Sequence, residues 1–84
     1  MTYLWPAGIP ITVWADALAA PQRFRWQGQT HQVVAITKRW RVDQTWWQQR
    51  LWREYFKLST RSGLLVVIYR DLLTGQWYLQ RLYD

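Results

Sequence analysis

Turn and breaker signals cut this chain into short segments, and that punctuation constrains its fold more than any other feature. "RFRW", "QGQT" and "HQVVAITKRWRV" form a strand, a turn and a return strand. Gly28 supplies the positive φ that a tight hairpin turn needs. Further on, "RSG" at 61–63 and "LLTG" at 72–75 separate the strand "REYFKLST", the continuous apolar run "LLVVIYRD" and the closing strand "QWYLQRLYD". Gly75 takes the left-handed position of the second turn. The run "LLVVIYRD" has the composition of a central strand. Residues 9–15, "IPITVWA", carry β-branched positions in alternation, and Pro10 places that strand at an edge or a strand start. On the return strand, strict alternation places Val34, Ile36, Lys38, Trp40 and Val42 on one face. It places His31, Val33, Ala35, Thr37, Arg39 and Arg41 on the other.

One stretch breaks the pattern. "TWWQQRLW" does not alternate, whereas Trp47, Leu51 and Tyr55 recur at helical spacing and Asp43 is available as an N-cap. The expectation is one to three helical turns over 43–52, with the Trp47 stripe facing the core. The fold class that follows is mainly β: a small antiparallel β-barrel or strongly twisted sheet of five to six strands, with one short helical insertion. It is a single domain over residues 1–84.

A chain of 84 residues buries only about 60–65% of its unfolded surface. There is no cysteine, so neither a disulfide framework nor a thiolate zinc site can staple it. Eight tryptophans offset the small size, because each large ring buries about 150–250 Å². The apolar first twenty residues lack a basic leader and are broken by Pro6, Pro10 and Asp16. They read as neither a signal peptide nor a membrane span, and a cytoplasmic location is expected.

Charge narrows the function classes. The net charge of +6 is concentrated between Arg23 and Arg61, where nine cations face only Asp43 and Glu54. Such a block suits an anionic partner or a surface kept soluble by charge. Arginine outnumbers lysine nine to two, which favours planar contacts to phosphates, carboxylates and rings. The five carboxylates are spread one per element or turn, with Asp43 and Asp71 explained as cap and turn residues. His31 is a lone histidine beside a turn, better suited to a structural role than to a metal. No phosphate loop or nucleophile elbow is present. Neither an enzyme nor a cofactor is expected.

Binding is the remaining class. Aromatic residues interleave with arginines in "FRW", "KRWR" and "WWQQRLWREYF", a composition that suits single-stranded nucleic acid. There, rings stack on bases and cations follow the phosphates. The expected face is Arg39, Trp40, Arg41, Trp46, Trp47, Arg50 and Arg53. The alternative is a protein-interaction module that uses the same aromatic and arginine patch to dock a partner or a second copy of itself. Against both stands the plainer account, in which the rings form the core and the arginines pack over them. Eight tryptophans are hard to bury in so small a domain, so Trp46 or Trp47 is expected to be partly exposed.

Taken in order, "IPITV", "PQRFRWQGQTHQVV", "WWQQ", "REYFKL", "LLVVIYRD" and "WYLQRLYD" resemble the small C-terminal domain of bacterial Y-family DNA-polymerase-like proteins, including the catalytically inactive component of the mutasome. A free-standing version of that domain forms a small uncharacterised family. The resemblance is carried by Pro21, Phe24, Trp26, Gly28, His31 and Val33, then by Trp46 and Trp47, by Arg53 to Phe56, and by Tyr69, Arg70, Trp77 and Leu79. It implies an accessory role in DNA repair or translesion synthesis, through single-stranded DNA or a repair protein. It implies no catalysis, because the polymerase's metal-binding carboxylates lie outside such a domain.

Overall fold

The computed structural model describes residues 2–83, with Trp46 described by its backbone alone. Six strands follow one another: β1 (Thr2–Ala15), β2 (Pro21–Trp26), β3 (Gln29–Trp46), β4 (Gln49–Thr60), β5 (Leu65–Asp71) and β6 (Trp77–Tyr83). Every neighbouring pair is antiparallel. The order closes on itself, since β6 returns to β1. Two strands change partners along their length. β1 pairs with β6 through Thr2–Leu4 and Ile9–Ile11, and with β2 from Thr12 onward. β3 pairs with β2 through Gln29–Gln32, and with β4 from Val33 onward.

The hairpin expected at Gly28 is present. Trp26 pairs with Gln29, and the two intervening residues take φ of 51° at Gln27 and 75° at Gly28, the backbone of a type I′ turn. The turns at 61–63 and 72–75 are also where the sequence puts them, with Asp71 Oδ1 accepting from the Leu73 amide at 2.9 Å.

Residues 43–52 are not a helix, and no helix occurs among the described residues. They form the end of the β3–β4 hairpin, with Asp43 opposite Trp52, Thr45 opposite Arg50, and Trp47 and Gln48 at the turn. β5 first pairs with β4 at Arg53, so this ribbon extends beyond the last β5 pair. Alternation is enforced only where one face must be buried. The ribbon has no such face, and the spacing of Trp47, Leu51 and Tyr55 is coincidental. Tyr55 is buried, but Trp47 is 83% exposed at the tip. Asp43 caps nothing; it pairs with Arg50 at 3.0 Å.

Two bulges also break the expected alternation in β3. The register shifts between Val33 and Ala35, and again between Ile36 and Lys38. Val34 is left out of the ladder and exposed. Thr37, the second extra residue, donates its hydroxyl to the Lys57 carbonyl at 3.1 Å. Ile36, itself still 37% exposed, therefore shares the face of buried Leu58, while Ala35 pairs with Ser59 on the other face.

Both sides of the sheet carry aromatic layers. The inner core gathers Ile11, Phe24, Phe56, Leu58, Val66, Ile68, Trp77, Leu79 and Leu82, drawn from every strand but β3, whose Val33 packs at its margin. On the outer side, Trp40, Tyr55, Tyr69 and Tyr78 are directly opposite one another across β3, β4, β5 and β6. Ring centroids in that row are 5.2, 5.3 and 5.0 Å apart. Such contacts each add about 0.5–1.5 kcal/mol beyond burial. Tyr69 is only 2% exposed because β1 arches over it. The β1–β6 register slips between Leu4 and Ile9, and the Ala7 carbonyl accepts the Tyr69 hydroxyl at 2.8 Å.

Gly8 makes that arch possible. Its φ is +81°, and a Cβ there would meet Tyr78 Cβ at 2.7 Å and the Tyr69 ring at 3.0 Å. Gly28 has φ +75° with nothing within 4 Å. In urea denaturation, Gly8→Ala should cost clearly more than the roughly 1–3 kcal/mol of a left-handed non-glycine residue, because steric overlap adds to it. Gly28→Ala should cost no more than that backbone term.

Candidate functional site

The seven residues expected to form one binding face do not share one. Arg39 and Arg41 lie on the core side of β3, where Glu54 engages both. Arg39 donates from Nε and Nη2 to the two carboxylate oxygens, each at 3.1 Å. Its Nη2 also donates to the Leu18 carbonyl at 3.2 Å, and its guanidinium lies 4.9 Å from the Phe56 ring. Arg39 is thus a structural clamp that ties the β1–β2 loop to β4. Arg41 donates Nε to Glu54 Oε2 at 3.0 Å and is otherwise exposed. Arg50 is held by Asp43 and lies 4.4 Å from the Trp52 ring. Trp47 caps the ribbon tip, and the Trp46 side chain lies outside the described residues. Trp40 and Arg53 lie on the outer side. Arg53 covers the Tyr69 ring at 4.3 Å and donates Nη1 to the Tyr55 hydroxyl at 3.3 Å, so it belongs to the outer aromatic layer.

A different group of cations comes together on that outer side. Lys38 is directly opposite Lys57, Lys57 opposite Val67, and Val67 opposite Arg81. With Trp40, Gln80 and Tyr83 these residues line a cleft of about 260 Å³. Among the described residues, no carboxylate lines it. Lys38 Nζ is 5.0 Å from the Trp40 ring centroid, and Lys57 Nζ is 5.0 Å from that of Tyr83. Arg81 donates Nη1 to the Tyr83 hydroxyl at 3.2 Å.

Two bulges aim this row. Thr37 is the extra residue just before Lys38 in β3. Gln80 is the extra residue just before Arg81 in β6. Bulges re-aim the side chains that follow them, and both of these precede a cation of the cleft. Like charges directly opposite in a ladder are destabilising, and the contacts of Lys38 with Trp40 and of Lys57 with Tyr83 offset that repulsion. Sequence reasoning placed Lys38 beside Trp40 on one face but gave weight to the denser arginine run. The cross-strand partners Lys57, Arg81 and Tyr83 are distant in sequence, and only the register joins them.

Among the described residues, no group of histidine and carboxylate side chains is arranged to hold a metal ion. The most constrained ionisable group is Glu54, whose side chain is only 5% exposed. Burial pushes its carboxyl upward, but hydrogen bonds and charge from Arg39 and Arg41 outweigh burial and hold it below the ordinary glutamate value. A carboxylate depressed on folding stabilises the fold above its unfolded pKa, near 4.3. That contribution is lost as pH falls through the folded value. Glu54→Gln should therefore be less stable than the wild type at neutral pH by about 1–3 kcal/mol. In urea melts over a pH series the gap should close only below about pH 4.3.

No protein-family model, curated protein or solved structure matches the chain.

Proposed function

We propose that this chain is a non-enzymatic accessory domain that binds single-stranded nucleic acid across the Lys38–Lys57–Arg81 row. One observation carries the reading: three cations converge, two of them directly opposed, on a cleft walled by Trp40 and Tyr83 and lined, among the described residues, by no carboxylate. Phosphates would take the two ammonium groups and the guanidinium, and the rings would offer faces to bases. The cleft lies on an open sheet surface, which a flexible strand can follow. The sequence resemblance supports a setting in DNA repair or translesion synthesis, with a cytoplasmic protein acting on exposed single strands.

A protein-docking alternative draws on one separate observation, the 83% exposure of Trp47 at the ribbon tip. Tryptophan and arginine are enriched at interface hot spots, and a repair protein or a second copy of the chain would be the partner.

Tryptophan fluorescence titrated with a short single-stranded oligonucleotide tests the first reading. Saturable quenching is expected, with affinity falling by a log–log salt slope of about −2 for three phosphates neutralised. Combined Lys38→Gln, Lys57→Gln and Arg81→Gln substitutions should abolish it while the fold persists. A flat salt dependence, or retention in the triple variant, would exclude the cleft. Trp47→Ala should leave oligonucleotide binding intact, and loss of self-association or partner association in that variant alone would favour docking.

A further inference from the structure

A second cavity, of about 420 Å³, lies away from the cleft where the β2–β3 hairpin meets the β4–β5 turn. Among the described residues its lining is Arg23, Thr30, His31, Gln32, Arg61 and Ser62, with no carboxylate. We propose that it is a binding site for a phosphate monoester, the chemistry of a strand's terminal phosphate or of a small free phosphorylated compound.

The backbone turn that carries two of the donors is held in place before any ligand arrives. His31 is 7% exposed, packed against the rings of Phe24 and Trp26 at 5.4 and 6.4 Å. Its Nδ1 is hydrogen-bonded to Ser62 Oγ at 2.8 Å, and Ser62 Oγ in turn to Thr60 Oγ1 at 2.8 Å. The Leu64 amide donates to Thr60 Oγ1 at 3.0 Å, and the Arg61 amide donates to the Gln32 carbonyl at 2.8 Å. These bonds fix the turn that carries Arg61 and Ser62. On the opposite wall, Arg23 sits over Trp14, with its Cζ 4.7 Å from the ring centroid. That contact uses the ring face and leaves the guanidinium N–H groups to donate to an anion.

Charge accounting supports a dianion. Asp43 and Glu54 are engaged by Arg50, Arg39 and Arg41. Asp16 accepts from the Leu18 and Ala20 amides, and Asp71 from that of Leu73. Among the described residues, Arg23 and Arg61 have no carboxylate partner. Arg61 has only a long bond, 3.4 Å, to Gln32 Oε1. The two guanidiniums together carry +2, which the single negative charge of a phosphodiester balances only by half. A monoester presents three oxygens and a charge of about −1.5 to −2, and arginine matches that geometry with paired donors.

His31 is the sole histidine, so its imidazole proton signals are unambiguous. The test is an NMR titration of the protein with inorganic phosphate at fixed pH and ionic strength. A saturable shift of the His31 signals is expected, weakened at least about tenfold in Arg61→Gln and in Arg23→Gln, each loss being that of a charge-assisted hydrogen bond. Lys57→Gln, in the other cleft, should leave it unchanged. No saturable shift, or the same affinity in both arginine variants, overturns the proposal. This arm uses no nucleic acid, so its result is independent of the cleft. A second arm compares an oligonucleotide bearing a 5′-phosphate with one bearing a 5′-hydroxyl. Tighter binding of the phosphorylated strand that disappears in Arg61→Gln identifies a strand end as the source. Equal binding, with the inorganic phosphate shift retained, identifies a free phosphorylated compound.

Discussion

The register of β3 against β4 decides which cations of this protein are available. The first bulge moves Ile36 to the face of Leu58 and Ala35 to the other face, and the second, at Thr37, reverses that exchange. With one bulge and not the other, Lys38 and Trp40 would turn inward and Arg39 and Arg41 would face out. The Arg39–Glu54–Arg41 cluster and the Lys38–Lys57–Arg81 row therefore depend on the same pair of irregularities. The hydroxyl of Thr37 on the Lys57 carbonyl anchors the second bulge to the strand that supplies the facing lysine. A bulge also increases local twist, which suits a strand that begins beside β2 and ends in a ribbon with β4.

A short chain without cysteine has to gain its stability from packing, and the sheet is used on both sides to do so. The inner core is the expected apolar one. The outer row from Trp40 to Tyr78 is less usual, because its rings are buried by their neighbours: the β1 arch covers Tyr69, and Arg53 lies over its face. Tyrosine suits that position. Its ring packs, and its hydroxyl reaches a backbone carbonyl or a guanidinium at the margin. Burial raises the Tyr69 pKa, the nearby Arg53 charge only partly opposing it, so the hydroxyl stays a donor to Ala7 across the ordinary pH range.

Much of this was legible in the sequence, and the exceptions have identifiable causes. Strands bounded by Gly28, by "RSG" and by "LLTG" are where the residues put them, since turn chemistry is local. The first strand is longer than the alternation over 9–15 suggests, because the arch at 5–8 interrupts the pattern. The ribbon was misread as a helix because spacing is informative only when a buried face selects it, and from Asp43 to Arg50 the described side chains are exposed. Of the candidate site, Trp40 was found and Lys38 was placed beside it. Lys57 and Arg81 were missed, for a cross-strand row has no signature in a single segment. The arginine density of "KRWR" instead marked Arg39 and Arg41, which share the single carboxylate of Glu54 on the other side of the sheet.

The distribution of charge bears on whether the excess serves solubility alone. Charge kept for solubility works best when dispersed, because opposed like charges destabilise the fold. Here the described carboxylates are committed to Arg39, Arg41 and Arg50 or to turns. Arg53 is committed to the outer rings, with its Nε buried and unbonded. Of the seven remaining cations, Lys38, Lys57 and Arg81 share one concavity and Arg23 and Arg61 another, while Arg70 lies 5.9 Å from the Trp77 ring centroid and Arg25 is exposed on β2. Each group is next to an exposed or half-buried ring, Trp40 and Tyr83 in the first case and Trp14 in the second. Placing five of these cations together in hollows, beside rings, is costly for a soluble surface and useful for an anion, and that asymmetry is what the binding proposal draws on.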